Sequence, residues 1–546
     1  MAADHPIDHP LAALPPGHFL ALPPTFSNDP NTSLSTTSHA APGLAPNVAS
    51  LAAADFDVDV RTGFLPGSAN VARLPAPYDV WEDALDAAAG TRVGDGLRLN
   101  GGRGDKEMSW RAAVASLPTL DIAGLNDLPL LRRAHIVLAF LTHFYVHCAP
   151  AATPTSPHTV PASISVPLLA TSRLVGLPPI LTYADTVLWN VLPEDPDRPT
   201  NLANNPPERT LATFTNTRSE AMFYLVSAEC EAAGAAALAL MRQCLDELFL
   251  ADELALRRLT VYLRQLAVLI DRVGDITLRM NTEVDPEEFY HLIRPWFRGG
   301  DADGPGSPGW LFLGTEHEAH EAENTFAPAS AGRKFSGPSA GQSSLVHAFD
   351  IFLTVDHSER DEEAEPAPSD DPDAPPIRLN AVPVLPEHVA EAEAEAKAAP
   401  PNPHARPGTT APGGAVEATF LQRMLQYMPL PHRTFLLHLS SHPTPLRPLV
   451  LARKDTHPAL ANAYDGALAA LRRFRDKHMR VVSRFIIQQA RRQPSARVRA
   501  LLGQEDEPEE EIEVHVDGLR GTGGTPLIRF LKRCRDNTSR AMVTSS

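Results

Sequence analysis

Leu460-Ala-Asn-Ala-Tyr464-Asp-Gly-Ala467-Leu-Ala-Ala-Leu471-Arg-Arg-Phe474-Arg-Asp-Lys-His478-Met-Arg-Val481-Val-Ser-Arg-Phe485 is the stretch whose periodicity sets the class of this fold. Apolar residues at Tyr464, Ala467, Leu471, Phe474, Val481 and Phe485 recur in steps of three and four, the period of one helical face. His478 fills the slot between Phe474 and Val481. The spacing predicts a helix over 460–490 with the imidazole of His478 turned toward the interior.

An interior histidine has two readings. It can be an ordinary core residue, neutral and satisfied by one hydrogen bond to a carbonyl. It can also be an axial ligand, since an iron porphyrin takes a neutral nitrogen presented from a rigid helix into a large apolar slot. The rest of the chain has to separate the two.

The 546 residues suffice for two or three domains with a sizeable core, and 43% apolar content is that of a globular protein. The 53 prolines exceed the 32 glycines and concentrate in stretches without periodicity. The formal charge of −18 is also local: residues 357–400 carry 12 acidic and 3 basic side chains, and residues 505–513 carry 7 acidic and none basic. The remainder is nearly neutral, so these runs read as solvated segments. A nucleic-acid surface is excluded, because phosphate binding needs a concentrated basic field. Cys148, Cys230, Cys244 and Cys534 lack disulfide-type or metal-type spacing. No secretory signal is visible and no apolar run reaches about 18 residues. The expectation is a cytoplasmic protein without a membrane span.

Residues 1–50 read as an extended arm rich in Pro, Ser and Thr. Helical patterning begins near Tyr78 and returns at Trp110–Leu117 and Leu128–Tyr145. His143 and His147 stand four apart on the last of these. That spacing can bind zinc, but no third ligand lies nearby, so they read as surface or core histidines. The segment Leu177-Pro-Pro-Ile-Leu-Thr-Tyr-Ala-Asp185 is opened by prolines and helical after Ile180. Phe214–Leu248 and Asp252–Val273 read as long buried helices, and Asp285-Pro-Glu-Glu-Phe289 as the capped start of a helix carrying Phe289, Ile293 and Arg294. Residues 357–416 form a Pro/Ala/Asp/Glu insert expected to be disordered. Few stretches alternate as strands do, so the fold class is all-α.

Together these segments resemble the indoleamine 2,3-dioxygenase family. The resemblance rests on Leu177-Pro-Pro-Ile-Leu-Thr-Tyr-Ala-Asp185, Met222-Phe-Tyr-Leu-Val-Ser227, Pro286-Glu-Glu-Phe-Tyr-His-Leu-Ile-Arg294, Ser339-Ala-Gly-Gln-Ser-Ser344, Phe420-Leu-Gln-Arg-Met-Leu-Gln-Tyr-Met-Pro429, Arg475-Asp-Lys-His478 and Gly521-Thr-Gly-Gly-Thr525. They fall in the family's order over roughly residues 70–540 and point to a fungal-like member with long acidic, Pro-rich inserts. The resemblance implies two helical domains, a small one over 51–205 that roofs the distal pocket and a larger C-terminal one over 206–546. The larger domain would bind haem b, with His478 as the proximal iron ligand. The implied reaction adds both atoms of O2 across the indole C2=C3 bond of L-tryptophan. The product is N-formyl-kynurenine, the first step of the kynurenine route that feeds NAD biosynthesis. An external reductant would keep the iron ferrous, and the protein would act as a monomer.

The same resemblance assigns roles along the chain. Arg294 would pair with the substrate carboxylate, a task suited to a permanently charged fork. Phe223 would cover the distal side against the indole, and Ser227, four residues on and on the same helical face, would stand near dioxygen. Tyr183 and Thr186 would line the inner indole pocket, and Phe289 and Tyr290 its mouth. Ser339 and Ala340 match a small-residue loop over the haem edge, here preceded by Pro338 where the family has glycine, which stiffens it. Thr522 in the Gly521–Thr525 lid would reach the substrate ammonium or a propionate, and Arg475 would pair with Asp350 or a propionate. The alternative is a family-fold haem protein with weak or lost tryptophan oxidation, which Pro338 and Trp189 would permit. A zinc hydrolase built on His317-Glu-Ala-His320 is disfavoured, since that spacing is not His-Glu-x-x-His.

Overall fold

Asp79–Ala89 (α1), Asp105–Ala115 (α2), Leu128–His147 (α3) and Ala162–Val175 (α4) are arranged around α3, which is buried along nearly its whole length. A helix buried on all sides must satisfy its polar side chains internally. Arg133 does so by donating from Nε and Nη2 to the two carboxylate oxygens of the buried Glu82 at 2.8 and 2.5 Å, while Glu82 also accepts from the Leu74 amide at 2.9 Å. Asp127 caps the start of α3 by accepting from the Leu130 amide at 2.8 Å. Gly176 closes α4 in the left-handed region (φ 68), where Leu430 leaves no room for a Cβ.

The computed structural model describes residues 56–101, 104–150, 157–302, 307–315, 332–357, 420–442, 445–504 and 527–544. The arm 1–50, the insert past His357, His317–His320, the acidic run 505–513 and the Gly521–Thr525 loop with Thr522 lie outside these residues.

Arg218–Leu250 (α5) starts four residues later than the apolar pattern suggests, because Thr217 caps it and Glu220 holds the preceding segment outside the helix. Thr217 accepts from the Glu220 amide at 3.2 Å, and the Glu220 carboxylate accepts from the amides of Phe214 and Thr215, each at 2.8 Å. The chain reverses at Ala251 in the left-handed region (φ 49), and Asp252 caps Glu253–Leu278 (α6) through the Ala255 amide at 2.7 Å. By length and composition α5 could cross a membrane, but 56% of its apolar window is buried inside the protein.

After a single turn at Met280–Glu283, the further described helices are Ser344–Phe352 (α7), Phe420–Leu425 (α8), Leu430–Ser440 (α9), Leu446–Arg453 (α10), Pro458–Val482 (α11), Ala496–Leu502 (α12) and Leu527–Arg540 (α13). The helix expected around His478 is α11, and its most extensive packing is against α6, which packs in turn on α5. Among the described residues, strands are confined to two short pairs. His158–Val160 (β1) runs parallel to Trp310–Phe312 (β4), and Val191–Pro193 (β2) runs antiparallel to Pro207–Thr210 (β3). The fold is all-α, as the sequence pattern implies.

Two apolar clusters make the interior. One gathers α1, α3, α4 and the first half of α5 around Trp81, Phe140, Phe144 and Phe214, with Phe214 stacked on Trp296 at 5.3 Å and 5°. The other joins the second half of α5 with α6, α7 and α11 around Leu263, Ile270, Phe349, Tyr464 and Leu471. Each fully buried large side chain contributes about 1.5–3 kcal/mol. Phe474, one turn before His478, packs against both clusters. The ligand-candidate helix therefore spans the junction.

Candidate functional site

A cavity of about 250 Å3 opens at that junction, walled by α5, α6, α11, α13, the loop before α7 and three irregular turns. Two other clefts of the protein hold about 30 Å3 each. The wall is mostly apolar, with Phe223, Phe289, Phe474, Val481, Phe485 and Phe530 among its side chains.

His478 stands on this wall. It is half-buried, and what remains open faces the cavity. Burial, helped by the positive charge of Arg475, lowers its imidazole to about 4, so it is neutral at physiological pH with a lone pair to offer. Its ring nitrogens have no hydrogen-bond partner among the described residues. The other interior histidines all do: His135 with Asp185 at 2.6 Å, His143 with the Trp296 carbonyl at 2.6 Å, and His347 with the Gly341 carbonyl at 2.9 Å. A core histidine is satisfied by a carbonyl or carboxylate, and His478 is not.

Phe223 and Ser227 lie one turn apart on α5, and both reach the cavity. Phe223 packs on Phe289 with ring centroids 4.7 Å apart, and Phe289 packs edge-on to Phe485 at 5.7 Å, giving a continuous aromatic wall. The Ser227 hydroxyl donates to the Phe223 carbonyl at 2.8 Å. Arg294 is the only permanent cation on the wall among the described residues. Its guanidinium lies over the Tyr290 ring, 5.6 Å from the centroid. Burial lowers its pKa, with the neighbouring Tyr290 opposing. A desolvated guanidinium in an apolar cavity favours an anionic group on whatever binds there.

The family model for indoleamine 2,3-dioxygenase matches residues 52–541 of this sequence. The chain belongs to the indoleamine 2,3-dioxygenase family. Among its relatives are a 6-hydroxytryptophan 2,3-dioxygenase of Fusarium equiseti, 27% identical over 90% of this chain and 98% of the relative. The indoleamine 2,3-dioxygenase of Saccharomyces cerevisiae is 29% identical over 79% and 87%, and indoleamine 2,3-dioxygenase 1 of Mus musculus is 27% identical over 80% and 85%. The protein is thus an oxidoreductase of the dioxygenase class.

For this dioxygenase the structure brings Tyr183, Thr186, Phe223, Ser227, Phe289, Arg294, Ser339, Ala340 and His478 onto one cavity wall. Tyr290 is set back beneath Arg294. Arg475 and Asp350 are also off the wall. Arg475 donates from Nη2 to both oxygens of Asp350, at 2.5 and 2.7 Å, and from Nη1 to the Thr538 hydroxyl, which ties α11 to α7 and α13. Although burial pushes the Asp350 carboxyl up, Arg475 and His357 hold it well below the carboxylate range. His143 and His147 are interior residues, with His147 bonded to the Arg298 carbonyl at 2.8 Å, and no metal-type cluster occurs among the described residues.

Pro338 lies on the wall without disturbing the loop's closing bonds, since these run from the Gln342 side-chain Nε2 to the Gly337 carbonyl at 2.9 Å and from the Gly341 amide to the Ser339 hydroxyl at 3.2 Å. None needs an N–H at position 338.

The spacing of Phe289 and Arg294 corrects the expectation of a plain helix there. Glu288–Ile293 is an i→i+5 turn in which the Arg294 amide donates to the Phe289 carbonyl, followed by a tighter turn over Arg294–Phe297. Pro295 has no N–H and cannot extend an α-helix from that point. The wider turn places residues five apart on one side, which is how both reach the cavity. Ala184–Leu188 and Ser483–Ile487 are turns of the same kind, and they carry Thr186, Val187, Phe485 and Ile486 to the wall. Sequence reasoning also missed Glu231, Thr277, Phe420 and Phe530 on the wall. Glu231 had a readable signal, a carboxylate one turn after Ser227 on an Ala-rich buried helix.

Proposed function

We propose that the protein is a haem-dependent dioxygenase that inserts both atoms of O2 across the indole C2=C3 bond of L-tryptophan, giving N-formyl-kynurenine. The observation that carries this reading is the neutral imidazole of His478, without a partner among the described residues, on an apolar cavity that also holds the guanidinium of Arg294. That combination fits haem b, whose iron His478 would hold while Phe474, Val481 and Phe485 would supply the apolar walls of its slot. When bound, the haem supplies the binding and activation of dioxygen.

The chain's own residues bind, orient and exclude water. Arg294 pairs with the substrate carboxylate, and the packed pair Phe223–Phe289 lies against the indole. Tyr183 and Thr186, from the small domain over 51–205, close the inner end. Thr522 would complete the lid over the amino group. Ser227 has its proton engaged with the Phe223 carbonyl, so it shapes the pocket and does not act as a base. No nucleophile is required, because the substrate's own electron-rich double bond is the reacting group.

All four cysteines are free thiols, which supports a reducing, cytoplasmic setting. An external reductant would keep a bound iron ferrous there, and the enzyme would work as a monomer. The name of the Fusarium relative makes ring-hydroxylated tryptophan the second substrate to assay.

The test is an absorption spectrum of the purified protein with and without dithionite and carbon monoxide, followed by turnover with L-tryptophan and with 6-hydroxytryptophan. A histidine-ligated haem spectrum and formyl-kynurenine formation are expected. A haem spectrum without turnover of either substrate would leave only the haem-binding alternative, and no haem spectrum would sink both.

A further inference from the structure

Glu231 is the only acidic side chain on the cavity wall among the described residues, and the reaction outlined above gives it no task. It is buried, on the face of α5 that carries Ser227. Its Oε1 accepts two hydrogen bonds from two other elements, one from the Tyr183 hydroxyl at 2.9 Å and one from the Ser343 hydroxyl at 2.7 Å. Tyr183 precedes the turn that carries Thr186. Ser343 ends the loop that carries Ser339 and Ala340 and caps α7 through the Val346 amide at 3.4 Å. The two donor elements also hold each other, since the Tyr183 amide donates to Gln342 Oε1 at 2.8 Å. The second carboxyl oxygen, Oε2, is shielded and has no partner among the described residues.

A buried carboxyl is costly, and one that serves only packing would be replaced by an apolar side chain at no loss. This one is placed where a single acceptor fixes two hydroxyls belonging to the inner indole pocket and to the small-residue loop. We infer that Glu231 is a positioning residue: it sets the places of Tyr183 and of the Ser339–Ser343 loop, and through them the fit of the indole ring.

The inference rests on the substrate reading above only for its last step. Burial raises the carboxyl to about 7, with the Ser343 and Tyr183 hydroxyls opposing, and no charged side chain contributes. The other titratable groups facing it are Tyr183 itself, pushed well up, and Cys230 beside it, pushed up to about 12, so neither titrates near neutrality. On ionisation the two hydrogen bonds become charge-assisted and tighten. Substrate affinity should therefore rise between about pH 6 and pH 8 in the wild type.

The experiment uses the full chain with haem bound and three variants. Glu231→Gln keeps an acceptor, Glu231→Leu removes it, and Ser343→Ala removes one donor. L-Tryptophan affinity, read from its perturbation of the haem spectrum, should fall about tenfold in E231L and about threefold in S343A, as expected for loss of buried hydrogen bonds. The double variant E231L/S343A should be no weaker than E231L, because both act through one oxygen. E231Q should stay within about twofold but lose the pH dependence, since an amide does not titrate.

Amide hydrogen exchange of Tyr183 and of residues 339–343 should quicken in E231L and not in E231Q, a readout that requires no cofactor. Unchanged exchange in E231L overturns the inference whether or not the protein oxidises tryptophan. So does a pH profile in E231Q that matches the wild type, even if E231L proves too unstable to study. Wild-type protein with no haem spectrum would instead overturn the substrate reading, leaving exchange to decide the role of Glu231.

Discussion

Two of the helices that carry interior histidines, α3 and α11, treat them in opposite ways. On α3, His135, His143 and His147 each hold a carboxylate, hydroxyl or carbonyl, and the rings stand among Trp189, Trp296 and Trp310. On α11, His478 is just as neutral but faces a cavity with no partner among the described residues. Burial lowers the basicity of His143 and His478 alike, so the pKa does not separate structure from function here. Hydrogen-bond satisfaction does. A histidine whose nitrogens are both engaged is part of the packing, and one left open in an apolar cavity is available to a metal.

The largest effect should come from the pair of substitutions that sets these histidines against each other. His478→Ala is expected to abolish haem binding, read as loss of the Soret band and of iron content. His143→Gln should keep the haem spectrum while lowering stability by a few kcal/mol, as for a disrupted buried hydrogen-bond pair. Retention of cofactor in H478A would break the comparison outright.

Next is Arg294. Replacement by Ala removes the cation on the wall and should weaken L-tryptophan binding about a hundredfold, the effect of deleting a charged partner in a desolvated site. Arg294→Lys should recover only part of this, since an ammonium lacks the bidentate fork. Affinity for indole, which has no carboxylate, should change little in either variant. A large loss there would mean that Arg294 shapes the cavity instead of reading the carboxylate.

The helices were legible in the sequence because they are amphipathic or uniformly apolar over many turns, and α11 had one continuous stripe. Their starts were less so. Phe214 is apolar and looks helical, but the Thr217 cap three residues on, with the Glu220 carboxylate holding the Phe214 amide, decides where α5 begins. The candidate site was legible residue by residue only through resemblance, since nothing in the spacing of Phe289 and Arg294 announces an i→i+5 turn. Pro295 was the available clue. Periodicity also says which face of α5 is buried but not that Glu231 would meet hydroxyls from two distant segments, a contact set by tertiary packing alone.

The third prediction concerns acid. His143 is held at about 4 by burial, with its bond to the Trp296 carbonyl opposing, whereas an unfolded histidine titrates near 6.5. Between these values the unfolded chain binds more protons, so stability is full above about pH 6.5 and falls as pH drops toward 4. Denaturant unfolding should show a loss on the order of 2 kcal/mol from pH 7 to pH 5. His147, lowered by burial and by His143, adds in the same direction. H143Q should flatten this dependence. An unchanged slope in H143Q would place the acid sensitivity elsewhere than His143.

The smallest effect separates packing from chemistry at Ser227. Its hydroxyl faces the cavity, but its hydrogen is given to the Phe223 carbonyl at 2.8 Å within the same helix. Ser227→Ala removes a hydroxyl whose partner retains its ordinary helical bond, so the fold should be nearly unaffected. Oxygenation needs no proton from this position if the substrate's double bond is the reacting group. Turnover should then fall by no more than a few fold, with the haem spectrum intact. A loss of a hundredfold or more would show that the hydroxyl rotates to serve the bound reactants, making Ser227 a catalytic residue and giving α5 a chemical task that its resting hydrogen bond conceals.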